Sequence, residues 1–156
     1  MSVHLLDREL DRLEGLWSDG LSETYRSYLD AVDHFDPELD RLEGLWSDGL
    51  AETYESYLDA VGHFDPEVQP KLALAAALIE SGVRLQGLGG RAAPPTTLLT
   101  GDLCLARGSR LLADNAPLPV QVAFARAIEA ASSAAAAEQP APALRQLLRQ
   151  SLGMTR

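Results

Sequence analysis

Three histidines, one cysteine and a few serines are the residues whose chemistry could build a site. His34 precedes Asp36 by two positions in the triplet HFD, and His63 stands the same way before Asp65. An imidazole and a carboxylate could share a cation such as Zn²⁺, which accepts nitrogen and oxygen donors. A spacing of two supplies only a pair of ligands, and each aspartate is already placed to start a helix. Capping is therefore the better reading of both. Cys104 is the sole cysteine, so no internal disulfide and no cysteine-based metal cluster can form, and a cytoplasmic location is expected. Its apolar surroundings in LLTGDLCLARGSRLL suit a buried structural thiol better than a nucleophile. GLGGR at 87–91 has the glycines of a phosphate loop, but it lacks the GK[ST] ending and no strand precedes it; it reads as a linker. Ser109 and Ser132 have no histidine or aspartate context that would activate them. No catalytic residue, metal site or cofactor is assigned.

The elements that would have to position a site are helices. The chain has 156 residues, of which 46% are apolar. Ala and Leu dominate and strand formers are scarce, which favours an all-α bundle in a single domain spanning 1–156. Residues 5–34 carry apolar side chains at Leu6, Leu10, Leu13, Trp17, Leu21, Tyr25, Tyr28 and Val32. Steps of three and four lay these side chains along one face of a helix, with a kink expected near Gly15 and Gly20. "FDPE" then offers Asp36 as N-cap and Pro37 as first helical residue, a signal repeated at Asp65, Pro66 and Glu67. The next helix is expected over 66–81, with Pro70 early enough to be tolerated. A stretch rich in glycine and proline, 82–97, interrupts the pattern. Helices are expected over 97–114 and 120–138, the latter with Val122, Phe124, Ala125 and Ile128 in the core. "QPAPA" forms a stiff linker, and a last helix, LRQLLRQSL, is stopped by Gly153. Six helices, or more if the long ones break, are predicted.

Charge excludes some partners. The formal net charge is −10, divided between a strongly acidic 1–66 and a mildly basic 67–156. No basic stripe is present to release counterions from phosphates, so a nucleic-acid partner is not expected. No apolar run approaches the roughly 20 residues of a membrane span. The opening MSVHLLDREL has neither the charged head nor the apolar stretch of a signal peptide.

The most unusual feature is a repeat. Residues 9–37, ELDRLEGLWSDGLSETYRSYLDAVDHFDP, recur as residues 38–66 with three changes: Ser22 to Ala51, Arg26 to Glu55 and Asp33 to Gly62. At 100° per residue the three positions fall within roughly 40° of one another, on the shoulder of the apolar stripe. Two copies of one stripe compete for one groove. Copy 2 adjoins the rest of the chain directly and is its natural occupant. Copy 1 then presents Leu6, Leu10, Leu13, Trp17, Leu21 and Tyr28 as an association surface. It can pack beside copy 2 or enter another subunit by domain swapping.

One stretch resembles a known family. PPTTLLTGDLCLARGSRLLAD at 94–114 is similar to part of the trans-isoprenyl diphosphate synthases, the polyprenyl synthetase family. In that family an RRG-x-P-T loop precedes a helix bearing Gly-Asp and Leu-rich text. Arg91 with PPTT resembles the loop, and Gly101-Asp102 with LCLARGSRLLA resembles the helix. PEVQPKLALAAALIESG resembles the family's upstream helix, and AAAAEQ at 134–139 stands where it places a Gly-Glu-x-x-x-Gln element. The resemblance spans about residues 50–139. The family's Asp-Asp-x-x-Asp motif, which holds Mg²⁺ on an allylic diphosphate, falls in the interval IESGVRLQGLGGRAAPPTT, where Glu80 is the only acid. No counterpart of its second Asp-rich motif is present.

The resemblance thus implies a shortened, catalytically silent relative with a duplicated N-terminal helix segment. Such a chain would act through homo-oligomer contacts or beside a catalytic prenyl synthase subunit. It would place Asp102, Leu105 and Leu112 near a subunit interface and Arg91 against a diphosphate. Two alternatives stand beside it. One is an isoprenoid-diphosphate binder or weak prenyltransferase; the other is an engineered or structural duplication with no ligand.

Overall fold

The computed structural model describes residues 50–86 and 95–154, with side chains described from Leu98 onward in the second span. The described residues form five helices and no strand: α1 (Ala51–Glu55), α2 (Gln69–Leu85), α3 (Pro95–Asn115), α4 (Leu118–Ala136) and α5 (Leu144–Leu152). The all-helical expectation holds there. Copy 1, residues 38–49 of copy 2 and the glycine-rich segment with Arg91 lie outside the described residues. Among the described residues no helix is long and apolar enough to cross a membrane.

The organising element is α2. Every residue from Leu72 to Val83 is buried, so this helix is covered on all sides rather than along one stripe. Its composition allows that: "LALAAAL" offers small and medium apolar side chains with no outward polar face. Tyr54, Tyr57, Val61, Cys104, Leu112, Val120, Phe124, Leu148 and Leu152 close the core around it. Cys104 is wholly buried, and burial pushes its thiol pKa up to about 12. It is the structural thiol its neighbours suggested.

Helices α2 and α3 approach to backbone contact, and glycine is the reason. A Cβ on Gly82 would lie 2.9 Å from the Gly101 carbonyl oxygen and 2.7 Å from Leu105 Cγ. One on Gly108 would lie 3.0 Å from the Ala75 carbonyl oxygen and 2.9 Å from Ile79 Cγ1. Gly101 and Gly108 stand seven apart on α3, as Ala75 and Gly82 do on α2. The pairs therefore meet along one seam, two turns long.

Several boundaries differ from the sequence expectation. The α2 helix begins at Gln69, not Pro66, and continues to Leu85. Asp65 does not cap it with its side chain. Its carbonyl instead accepts from Val68 N (2.9 Å) and Gln69 N (3.1 Å), and Pro70 sits in the first turn, where a missing N–H costs nothing. Copy 2 was expected to remain helical to its end, yet α1 stops at Glu55. The departure begins at Tyr57, whose N–H bonds the Tyr54 carbonyl at 3.1 Å rather than that of Thr53; Arg149 Nη1 then donates to the Ser56 carbonyl, the acceptor an α-helix would give to Ala60 N. Ala60 N bonds the Tyr57 carbonyl instead, at 3.1 Å, and turns with three-residue spacing carry the chain to Phe64.

Helix α4 ends two residues earlier than expected. Glu138 adopts a left-handed conformation, φ 55°, while Gln139 N bonds the Ala134 carbonyl and Glu138 N the Ala135 carbonyl. This is a Schellman closure without its usual glycine. Phe124 is buried as expected, but Ala125 is exposed and Val122 is 39% exposed. Helix α4 is covered on one side only, and these two positions lie off that side. Gly153 ends α5 as expected.

The glycine seam yields a test. Gly108→Ala should destabilise by about 1–3 kcal/mol through overpacking, despite the roughly 1 kcal/mol that alanine favours in a helix. Gly62→Ala, whose Cβ would meet only the Asp59 carbonyl oxygen at 3.4 Å, should be near neutral. Chemical denaturation of the two variants measures the contrast.

Candidate functional site

Two features stand out among the described residues. The first is a polar cluster built on α2. Glu80 is the one acid in that helix and is only 4% exposed. Tyr57 Oη donates to its Oε1 at 2.8 Å. Arg145, on the first turn of α5, donates from Nε to Oε1 at 2.9 Å and from Nη2 to Oε2 at 3.0 Å. That two-pronged geometry is the strong form of a charge-assisted pair. Arg84, one turn along α2, places Nη2 at 3.5 Å from Oε2 and donates to Thr53 Oγ1 at 3.1 Å. Thr53 is itself buried.

The electrostatics follow from this packing. Burial pushes the Tyr57 phenol well above its ordinary value, and the adjacent Glu80 charge raises it further. Tyr57 is thus held as a neutral donor. The hydrogen bonds to Glu80 hold Arg145 more firmly charged. One carboxylate serves two guanidiniums, both partly exposed, beside a cavity of about 380 Å³ that Val83, Ala131, Pro142 and Leu144 also line. The chemistry of that rim favours an anion over a cation. Acid–base catalysis is poorly served, because the carboxylate's oxygens are already taken by three side chains and the phenol resists ionisation.

A neighbouring contact fixes the same elements. Arg149, one turn beyond Arg145, binds Asp59 through Nη1–Oδ1 (2.8 Å) and Nη2–Oδ2 (2.7 Å). The guanidinium holds the Asp59 carboxyl down to about 2.

The second feature is a groove of about 580 Å³ between α4 and α5. Leu118, Val122, Ala127, Leu147 and Met154 form its walls, with Arg126 beside them. Leu118 is 69% exposed and Met154 47%. Both exceed what isolated surface apolar residues require, and they share one groove.

The sequence-predicted residues fall as follows. Leu6, Leu10, Leu13, Trp17, Leu21, Tyr28 and Arg91 lie outside the described residues. Leu112 is buried in the chain's own core, and Leu105 packs over Gly82. Asp102 is exposed and accepts from Gln86 Nε2. The stripe read from copy 1 is legible in copy 2: Leu50, Tyr54, Tyr57 and Val61, the counterparts of Leu21, Tyr25, Tyr28 and Val32, are all buried. His63 and Asp65 are both exposed, and His63 lies against Phe64 with ring centroids 4.2 Å apart. Among the described residues no three His, Cys, Asp or Glu side chains stand together as a metal site.

The polar cluster has little signature in the sequence. A single acid inside LALAAALIESG was its available signal, since a buried acid requires a cation. The distant partner Arg145 could not be chosen from spacing alone.

Mg²⁺ of the kind polyprenyl synthetases hold does not fit the described residues. Glu80 is buried and bonded to Tyr57 and Arg145, which leaves its oxygens no room for a cation. No protein-family model matches the chain, and no curated protein or solved structure matches it either.

The cluster predicts an asymmetry. Arg145→Ala leaves Glu80 buried without its main partner and should cost about 3 kcal/mol or more. Glu80→Leu leaves Arg145, 40% exposed at its side chain, free to rehydrate and should cost about 1–3 kcal/mol. Equilibrium unfolding of both variants and the double variant gives the ordering and the coupling.

The Asp59 pair predicts a pH effect. Its folded pKa is depressed below the ordinary 3.8, so its contribution is complete above that value and is lost as pH falls toward about 2. Carboxyl NMR titration should place the Asp59 midpoint near 2 in the native protein and return it toward 3.8 in Arg149→Gln.

Proposed function

We propose that this protein is a non-catalytic helical subunit that acts by receiving an apolar helix face of another chain in the groove between α4 and α5. The observation that carries this reading is the exposure of Leu118, Val122 and Met154 along that groove. Apolar surface of this kind is stabilised by burial at about 25 cal/mol per Å². The partner in this reading is either a second copy of the chain or a catalytic prenyl synthase subunit. The second choice rests on the resemblance of residues 50–139 and on the absence of an Asp-Asp-x-x-Asp motif from the sequence.

One observation favours a second reading. Arg126 lines the same apolar groove, so an isoprenoid tail could lie along α4 with its diphosphate at the guanidinium. A repeat with no ligand at all is the third reading, and it predicts neither association nor binding.

The test separates them. Under the first reading, Val122→Glu with Met154→Glu leaves the thermal midpoint within a few degrees, because both side chains are exposed, but abolishes association. Light scattering of the chain alone and with a prenyl synthase subunit measures this. Calorimetric titration with an isoprenoid diphosphate, with and without Arg126→Ala, measures the second. Turnover of allylic and homoallylic diphosphates by this chain alone with Mg²⁺ would overturn the non-catalytic reading, and a strictly monomeric chain with no partner would overturn the subunit reading.

A further inference from the structure

The slot that holds copy 2 is defined by more than apolar contact. Leu50, Tyr54, Tyr57 and Val61 fill it. Thr53 meets Arg84 and Arg145, at 3.1 Å and 3.4 Å. Tyr57 meets Glu80, and Asp59 and the Ser56 carbonyl meet Arg149. Shifted by 29 positions, every one of these residues recurs in copy 1: Leu21, Thr24, Tyr25, Ser27, Tyr28, Asp30 and Val32.

The three substitutions do not obstruct the exchange. Glu55 and Gly62, replaced by Arg26 and Asp33, are exposed, and Ala51, replaced by Ser22, is half-buried. A Cβ at Gly62 would make only an ordinary contact, 3.4 Å to the Asp59 carbonyl oxygen.

We infer that the slot between α2 and α5 is a receptor for either copy, and that residues 21–36 of the same chain bind it in place of residues 50–65. The two occupants differ in how the chain closes behind them. Copy 2 reaches α2 through residues 66–68, whereas copy 1 must do so through residues 37–68. Loop-closure entropy then disfavours copy 1 by roughly thirtyfold, given its three-halves-power dependence on loop length. Copy 2 holds the slot in most molecules, and disabling it hands the slot to copy 1.

Full-length variants test this. Tyr28→Ala with Val32→Asp should leave the folding equilibrium unchanged. Tyr57→Ala with Val61→Asp should reduce it by no more than roughly thirtyfold, the loop term alone. All four substitutions together should reduce it by roughly a thousandfold or more, as expected for lost core contacts. The inference is overturned if the copy 2 variant falls as far as the fourfold variant.

A gentler variant covers the case in which the core substitutions prevent folding. All four tyrosines of the chain lie in the two copies, at 25, 28, 54 and 57. Fluorotyrosine labelling therefore reports slot occupancy by ¹⁹F NMR. Asp59→Arg sets two arginines face to face at an exposed site while Asp30 can still pair with Arg149. The population of Tyr28 at the slot-bound resonance should rise roughly fivefold, the scale of an exposed ion pair gained or lost. No change in that population, with the protein folded, overturns the inference. A slot signal for Tyr28 that depends on protein concentration also overturns it, because it would place copy 1 in the slot of another molecule.

Discussion

A carboxylate inside a fully buried helix sets the terms for the rest of this structure. Apart from Glu80 and Ser81, the buried span of α2 consists of Leu, Ala, Ile, Val and Gly. Packing of such residues is attractive in every direction and specifies rotation and register weakly. Glu80 supplies the direction. It demands hydrogen bonds, because leaving a charge buried and unpaired costs more than any single apolar contact returns. Arg145 from α5 and Tyr57 from copy 2 meet that demand from opposite directions along the chain, 65 and 23 residues away. The pair does not make the protein more stable than an apolar core would. It restricts which arrangement of three segments satisfies the core.

The opposite face of α2 is organised by absence of side chain. Gly82, Gly101 and Gly108 let α2 and α3 touch backbone to backbone, and this seam needs no polar partner. The central helix thus has one face where close approach excludes alternatives by volume and another where hydrogen bonding excludes them by chemistry. Helices α4 and α5 lie outside this arrangement over part of their length, which is why Leu118 and Met154 stay exposed while Phe124 and Leu148 do not.

Local signals in the sequence located the helices well. The bounds of α3 and α5, the tolerance of Pro70, the stop at Gly153 and the burial of Cys104 each follow from residues within a few positions. The stripe of copy 2 follows from spacing alone. What could not be read has causes far along the chain. Copy 2 leaves the helix after Glu55, and the Ser56 carbonyl is met there by Arg149, 93 residues beyond. Glu80 reads as a stray acid until its guanidinium partner is known. Val122 and Ala125 read as core because α4 carries apolar residues on more than one face, and only the position of α5 decides which face is covered. Leu112 reads as an interface candidate from the resemblance, but its place is in the intramolecular core.

The repeat acquires physical meaning from the polar contacts rather than the apolar ones. A stripe of Leu, Tyr and Val could enter any apolar groove, including the one between α4 and α5. Apolar matching alone would therefore leave copy 1 with several equivalent destinations. The threonine, tyrosine and aspartate that accompany the stripe are more selective. The threonine hydroxyl, the phenol and the carboxylate must meet Arg145, Glu80 and Arg149, three groups that α2 and α5 bring together in one slot. Placing Tyr28 and Asp30 in the groove between α4 and α5 would meet Arg126, Gln150 and Ser151, with no acceptor carboxylate for the phenol. Specificity for one slot is thus written twice in the chain, in polar groups that contribute little stability, while the apolar contacts that contribute most of it do not discriminate.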